Sequence, residues 1–323
     1  MIKLLYPKFW SHRGPISTLL TPISWLYRAL GFIRKLIAKP IRFNAKVICI
    51  GNITVGGNGK TQIVESLAKY YRNKKSILVI TKGYASSLKT AQLVSSDDLS
   101  KDIGDESKLL SEYVTVIATK KIKYLPSYVN KIKPEIIIFD DGLQNPHFIK
   151  DCKILVIDNI RGTGNGQIFP AGPLRIQSEV AIRECDAIIE IGNNIKEYSL
   201  IQNAVLSNKK PIFKAKIKLI SKLKKQNEYF AFSAIGNPNR FFDTLREGGA
   251  NIKYTQIFPN HHQFTQNDIV KLKNIAQKNN YTLITTKKDY VKIHNTTNIE
   301  CAIVNVVFEN QMEFIKKINE TLY

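Results

Sequence analysis

Cysteine is scarce in this 323-residue chain: Cys49, Cys152, Cys185 and Cys301 stand far apart and form no Cys-x-x-Cys pair. That scatter argues against a zinc ribbon or a disulfide framework and for core thiols in a reducing compartment. Acidic residues are outnumbered, 26 Asp and Glu against 48 Lys and Arg, for a formal charge of +22. The excess suits an anionic partner, and charge alone leaves nucleic acid, phospholipid and phosphorylated substrate open. A Lys-, Ile- and Asn-rich composition equally yields a solvated basic surface with no partner. There is no long run of one sign to serve as a disordered nucleic-acid arm, and no internal repeat is visible.

Aromatic and aliphatic residues crowd the N-terminus from Phe9 to Ile37. Arg13, Arg28, Arg34 and Lys35 interrupt the stretch and Pro15 and Pro22 break it. It is therefore expected to fall short of the roughly twenty apolar residues of a membrane span, and no small-residue cleavage site marks a signal peptide. With Thr21 as N-cap and Pro22 as first helical residue, Ile23, Leu26, Leu30, Ile33 and Ile37 recur at helical spacing beside Arg28, Arg34, Lys35 and Lys39. One reading is an amphipathic helix on a membrane, favoured by exposed Trp10 and Trp25; the other is an ordinary helix packed on the first domain.

What is most informative lies at residues 54–61. They read Thr54, Val55, Gly56, Gly57, Asn58, Gly59, Lys60, Thr61, directly after the β-rich run 47–51. Glycines let several amide N–H groups point at one centre, Lys60 can reach β/γ phosphates and Thr61 can ligate Mg²⁺, so the segment reads as a nucleotide-binding loop opening a helix over 60–72. Thr54 stands where the strict pattern has Gly, and the alternative is a Gly-rich loop with an incidental Lys.

Length and the alternation of apolar runs with helix-compatible segments predict two α/β domains. The first, over 41–210, is a mostly parallel sheet sandwiched by helices, with strands at 46–52, 76–81, 114–118, 136–139, 154–157 and 187–191. Residues 211–228 read as a linker and 229–323 as a smaller C-terminal α/β domain, while 1–40 form the N-terminal helical segment.

Several residues are placed to do chemistry. Asp140 and Asp141 end an apolar strand, where a phosphate-loop enzyme holds Mg²⁺; a turn begun with Gly142 is the plain alternative. Asp105 and Glu106 follow Gly104 and suit a helix start. His261 and His262 sit at a strand end and can act as base or base partner, or be ordinary loop residues. Gly162 to Arg175 is a long Gly- and Pro-rich loop, either substrate-binding or a connection between domains. Thr286 to Asp289 has the Thr-Lys-x-Asp form of a guanine-reading element, without an Asp-x-x-Gly partner.

Taken together, TVGGNGKT, TKGY (81–84), GDE (104–106), DDGLQN (140–145), PAGPLR (170–175), GNPNRFF (236–242), FPNHH (258–262) and TTKKD (285–289) resemble the tetraacyldisaccharide 4'-kinase family, the lipid A 4'-kinases, over nearly the whole chain. The resemblance implies a P-loop NTPase-like fold and transfer of the ATP γ-phosphate to the 4'-hydroxyl of an acylated glucosamine disaccharide at the inner membrane. The other function class is a membrane-docked or nucleic-acid-binding P-loop ATPase or GTPase. By the resemblance, Lys60 neutralises phosphate charge, Thr61, Asp140 and Asp141 organise Mg²⁺, and Asp105 with His261 forms a base dyad. Arg175, Gln144 and Glu106 are assigned to the substrate. Because Asp105 and His261 fall in different expected domains, closure around ATP is expected to bring them together. The expected partners are the lipid substrate and an anionic inner-membrane surface on its cytoplasmic side, with no nucleic acid and a monomeric chain. Asn58, Gln62, Lys82, Asn145, Asn260 and Lys287 depart from the family's usual Thr, Pro, Arg, His, Asp and Glu.

Overall fold

Apolar runs bounded by Gly, Pro and polar residues become strands in the computed structural model, which describes residues 7–56, 59–159, 162–192, 208–224, 226–293 and 296–323. The strands are β1 (Lys46–Gly51), β2 (Ile77–Thr81), β3 (Gln92–Leu93), β4 (Thr115–Ala118), β5 (Ile136–Asp140), β6 (Cys152–Asp158) and β7 (Ala187–Ile191). They continue with β8 (Ile212–Leu219), β9 (Glu228–Ser233), β10 (Asn251–Ile257), β11 (Thr282–Thr286), β12 (Ile299–Ala302) and β13 (Val304–Phe308). The α-helices are α1 (Pro15–Ile37), α2 (Lys60–Tyr71), α3 (Ser100–Ile103), α4 (Asp105–Ser111) and α5 (Leu125–Ile132). After them come α6 (Ser178–Glu184), α7 (Pro238–Glu247), α8 (Gln266–Lys278), α9 (Lys287–Tyr290) and α10 (Gln311–Leu322).

These elements form two compact units. One gathers Tyr6–Ile80, Lys121–Lys216 and Val307–Tyr323, the other Thr81–Lys120 and Ile217–Val306. The expected linear division at 211–228 is therefore corrected on three counts. Residues 81–120 leave the 41–210 block, and 307–323 join the phosphate-loop unit. The first part of the segment read as a linker is β8, paired in parallel with β7 and burying alternate residues Phe213 and Ala215. Contacts distant in sequence decide such membership: α10 buries Phe314, Ile315, Ile318 and Leu322 along one face, and Asn319 accepts from the Tyr71 hydroxyl at 2.8 Å.

In the phosphate-loop unit the strands lie in the order β8-β7-β6-β1-β5-β2, every pair parallel. Val47, Ile48, Cys49 and Ile50 of β1 are all buried although successive side chains point to opposite faces, so both faces are covered. In the register of β1 with β5, Ile50 sits beside Asp140. Parallel neighbours end at the same edge of the sheet, so the loop after β1 and the carboxylates after β5 must meet there.

The second unit has a parallel sheet in the order β10-β9-β11-β12 and an antiparallel pair of β3 and β4. On β9, Tyr229 and Ala231 pack with Phe241, Phe242 and Leu245 of α7, while Phe230 and Phe232 pack with Ile269, Leu272 and Ala276 of α8. The period-two alternation of the strand thus places one helix on each face.

The N-terminal helix differs from its expectation. It starts at Pro15, not Pro22, with Gly14 at the N-cap donating its N–H to Ser17 Oγ at 2.9 Å. Pro22 lies inside the helix rather than breaking it. The resulting 23 residues are long and apolar enough, by length and composition, to cross a membrane; at 1.5 Å per residue they extend roughly 34 Å. Their buried residues are Ser17 and Ser24, whereas Leu19 is 78% and Trp25 67% exposed. Ser24 Oγ donates to Ile168 O (2.7 Å) and accepts from Ala171 N (3.1 Å), so the small polar face, not the apolar one, meets the protein. Trp10, expected to be exposed, is buried and donates from Nε1 to Pro170 O at 3.0 Å. The loop of 162–175, read as substrate-binding or connecting, is the seat of this N-terminal segment.

Trp10→Ala is expected to destabilise the phosphate-loop unit by about 3 kcal/mol, the scale of an aromatic truncation in a core. Chemical denaturation followed by circular dichroism measures this; an unchanged midpoint would show that the segment is not anchored through Trp10.

Candidate active site

At the edge of the phosphate-loop unit, the start of the loop is held by neighbouring backbone. Val55 N donates to Pro173 O (2.8 Å), Arg175 N donates to Ile53 O (2.7 Å), and Thr54 bridges to Leu174. Thr54 is buried in this contact. Gly57 and Asn58, both expected to meet nucleotide, lie outside the described residues. Gly59 has φ +77°, the left-handed conformation that glycine adopts without steric cost, and hands the chain directly to α2.

The first two residues of α2 carry the chemistry. Lys60 donates from Nζ to Asn52 Oδ1 at 2.8 Å and lies 3.7 Å from Asp141 Oδ1. Thr61 Oγ1 donates to Asp140 Oδ2 at 2.9 Å. Asp141 sits at φ +64°, a conformation costly outside glycine, and accepts from Arg175 Nη1 at both oxygens, 2.8 and 3.0 Å. Gln144 Nε2 donates to Asn52 O at 2.8 Å. Lys60, Thr61, Asp140, Asp141, Gln144 and Arg175 are therefore brought together, with Arg175 and Gln144 bound to the loop machinery itself. Asn52, which joins Lys60 to Gln144, was missed by sequence reading; its only signal is an amide immediately after an apolar strand.

No cluster of three or more His, Cys, Asp or Glu gathers among the described residues as a metal cage. Mg²⁺ does not require one, because it keeps several waters and takes one or two protein oxygens plus phosphates. The Thr61 hydroxyl and Asp140 carboxylate, hard oxygens at hydrogen-bond distance, fit that role. Asp141 faces two cations, Arg175 and Lys60.

In the second unit, Gly104 separates α3 from α4 at φ +92°, and a Cβ there would lie 2.9 Å from Gly83 Cα. Asp105 is the first residue of α4 and is buried. His261, at φ +59° after β10, donates its backbone N–H to Ala234 O (2.9 Å), and its Nδ1 lies 3.0 Å from Asp105 Oδ2. The Tyr84 ring packs on the imidazole, centroids 4.8 Å apart. Asp105 and His261 belong to one unit and are already paired, so the expected closure between two domains is not what assembles them. His262 is engaged elsewhere, 3.0 Å from Asp268 Oδ2 and stacked on Phe258. That carboxylate is pushed up by its partial burial but pulled down further by the Thr265 and His262 hydrogen bonds, to about 2.

Burial raises the Asp105 carboxyl, but the His261 hydrogen bond and the Lys292 and Lys288 charges outweigh it and hold the group below the usual carboxylate range. Glu106, assigned to substrate, pairs with Lys288 at 2.6 Å; burial raises its carboxyl and the Lys288 charge lowers it further. Asp289, the supposed guanine reader, is fully buried, with Oδ2 accepting from Ala234 N (2.9 Å), Thr286 Oγ1 (2.9 Å) and Ser233 Oγ (3.2 Å). A carboxylate that reads a base has to be presented to it, so the GTPase form of the alternative is set aside.

The chain resembles known proteins along nearly its whole length. The model of the family described as LpxK, tetraacyldisaccharide-1-P 4'-kinase, matches residues 16–323. Tetraacyldisaccharide 4'-kinase of Rickettsia bellii is 45% identical over 320 residues, 98% of this chain and 99% of that one. The same enzyme of Rickettsia akari is 44% identical over 320 residues, 98% of each. The crystal structure of LpxK from Aquifex aeolicus in complex with ATP has a TM-score of 0.75 at 25% identity, covering 95% of this chain and all of that one.

Gly104→Ala is expected to cost about 1–3 kcal/mol, since alanine must take up a positive φ against the Gly83 backbone. Thermal denaturation measures the loss, and a wild-type melting temperature would show that the turn accommodates a side chain.

Proposed function

The chain belongs to the tetraacyldisaccharide-1-P 4'-kinase family, and from that premise we propose that it transfers the γ-phosphate of ATP to the 4'-hydroxyl of a tetraacylated glucosamine disaccharide 1-phosphate. The product is lipid IVA, an intermediate of lipid A biosynthesis. The observation that carries the reading is the buried Asp105–His261 pair: transfer to an alcohol needs a group to take the hydroxyl proton, and a charged carboxylate holding an imidazole is equipped to do so. Lys60 holds the donor phosphates, with Asn52 and Asp141 fixing its ammonium before nucleotide arrives. Thr61 and Asp140 would hold Mg²⁺, which would supply charge neutralisation on the phosphates, while Asp141 anchors Arg175.

The acceptor carries acyl chains, and α1 suits a chain that works where such chains are embedded. Its N-terminal half, 15–27, has no charged residue, and Arg28, Arg34 and Lys35 follow. With Ser17 and Ser24 turned to the protein, the apolar side chains enter the bilayer and the basic residues meet anionic headgroups on the cytoplasmic face of the inner membrane.

Incubation with ATP, Mg²⁺ and the tetraacyl disaccharide monophosphate is expected to yield the bisphosphate lipid on mass spectrometry. ATP hydrolysis without lipid phosphorylation would favour an ATPase module and overturn the kinase reading. Asp105→Ala and His261→Ala are each expected to lower kcat by about 10²–10⁴-fold with nucleotide binding intact, whereas Lys60→Ala weakens nucleotide binding in calorimetry. Leu19→Asp with Leu26→Asp, at exposed positions, is expected to leave the melting temperature unchanged and weaken binding to anionic vesicles at least about tenfold. Undiminished vesicle binding would move the membrane contact away from α1.

A further inference from the structure

One buried charge in the second unit has entered so far only through its pull on the Asp105 carboxyl. Lys292 follows α9, and its side chain is 0% exposed. Its Nζ lies 2.6 Å from Asp289 Oδ1 and 3.6 Å from Asp105 Oδ2, the same oxygen that meets His261 Nδ1. Nζ also stands 5.4 Å from the centre of the Phe264 ring.

The ammonium is not free to choose its position. Asp289, its nearer partner, is fixed by the Ala234 amide and by the hydroxyls of Thr286 and Ser233. Ala234 in turn accepts the His261 backbone N–H at its carbonyl. A single residue just after β9, Ala234, therefore ties the anchor of Lys292 to the backbone of His261. Two buried carboxylates share this one cation, and the groups facing Asp105 are His261, Lys292 and Lys288, with Glu106 on its own helix.

We propose that Lys292 is a positioning residue of the proton-accepting pair: its buried ammonium, shared between Asp289 and Asp105, keeps the Asp105 carboxylate ionised and turned to His261. This rests on the reading of Asp105 and His261 as the base. With neutral imidazole, Asp105, Asp289 and Lys292 together carry one negative charge, and uptake of the acceptor's proton brings the cluster to neutrality. Without the ammonium the resting charge is two negatives in a dry site, and a proton is bound before any substrate arrives. A base that is already protonated cannot take the hydroxyl proton.

Lys292→Met alone strands Asp289 and can unfold the unit, so the deciding protein is Lys292→Met with Asp289→Asn, in which both charges leave together. Its fold is checked by thermal melting. The double variant keeps the cluster at one negative charge, but Asp105 loses the ammonium it faces at 3.6 Å while the departing Asp289 carboxylate is not among the groups that act on it, so the His261 titration midpoint, followed by imidazole ¹⁵N NMR on the full chain without substrate, is expected to rise by about one pH unit or more. In the kinase assay kcat at neutral pH is expected to fall about tenfold or more, regained toward higher pH, with KM for ATP unchanged. A folded double variant with the wild-type His261 midpoint and the wild-type kcat profile would overturn the proposal and leave Lys292 as the counter-ion of Asp289 alone. The NMR titration does not depend on the lipid reaction. Wild-type protein that makes no bisphosphate lipid would thus refute the kinase reading, while the His261 midpoint still decides for or against Lys292.

Discussion

Parallel pairing of β1 with β5 is the constraint on which the phosphate-loop site depends. Because both strands run the same way with Ile50 beside Asp140, the loop that leaves β1 and the carboxylates that end β5 emerge at one edge. Thr61 then needs only one turn of helix to reach Asp140, and Lys60 only its own length to reach Asn52 and Asp141. An antiparallel pairing of the same sequences would have put the two at opposite ends. The apolar character of both strands follows from the same arrangement, since a parallel sheet is covered on each face.

The second unit builds its site differently, by burying charge and matching it. Asp105, Asp289, Lys292 and His261 lie within a connected set of ion pairs and hydrogen bonds, with Lys288 and Glu106 adjoining. Burying any of these groups alone would be costly, and their mutual pairing offsets that cost while fixing their directions. Two residues on which the sites rest, Asp141 and His261, hold backbone angles that non-glycine residues seldom adopt, a sign that surrounding contacts over-determine them.

The N-terminal helix inverts the usual arrangement of an amphipathic helix on a water-soluble body. The Ser24 hydroxyl meets the 162–172 loop and the large side chains face outward. Burial within the protein does not account for that composition, and the lipid contact proposed for this helix would.

Sequence alone determined the phosphate loop, most strand and helix positions, the carboxylates after β5 and, through the family motifs, the pairing of Asp105 with His261. These are legible because they rest on local pattern: strand burial, glycine at special angles, and motif spacing. Unit membership was not legible, nor were the burial of Trp10, the strand at 212–219, the roles of Asn52 and Asp289, or the cation at Lys292. Each of these is settled by contacts between residues far apart in the chain. A lysine and an aspartate three positions apart look like any solvated pair until β9, α4 and the turn carrying His261 close around them, and only the tertiary structure decides which charges share a dry interior.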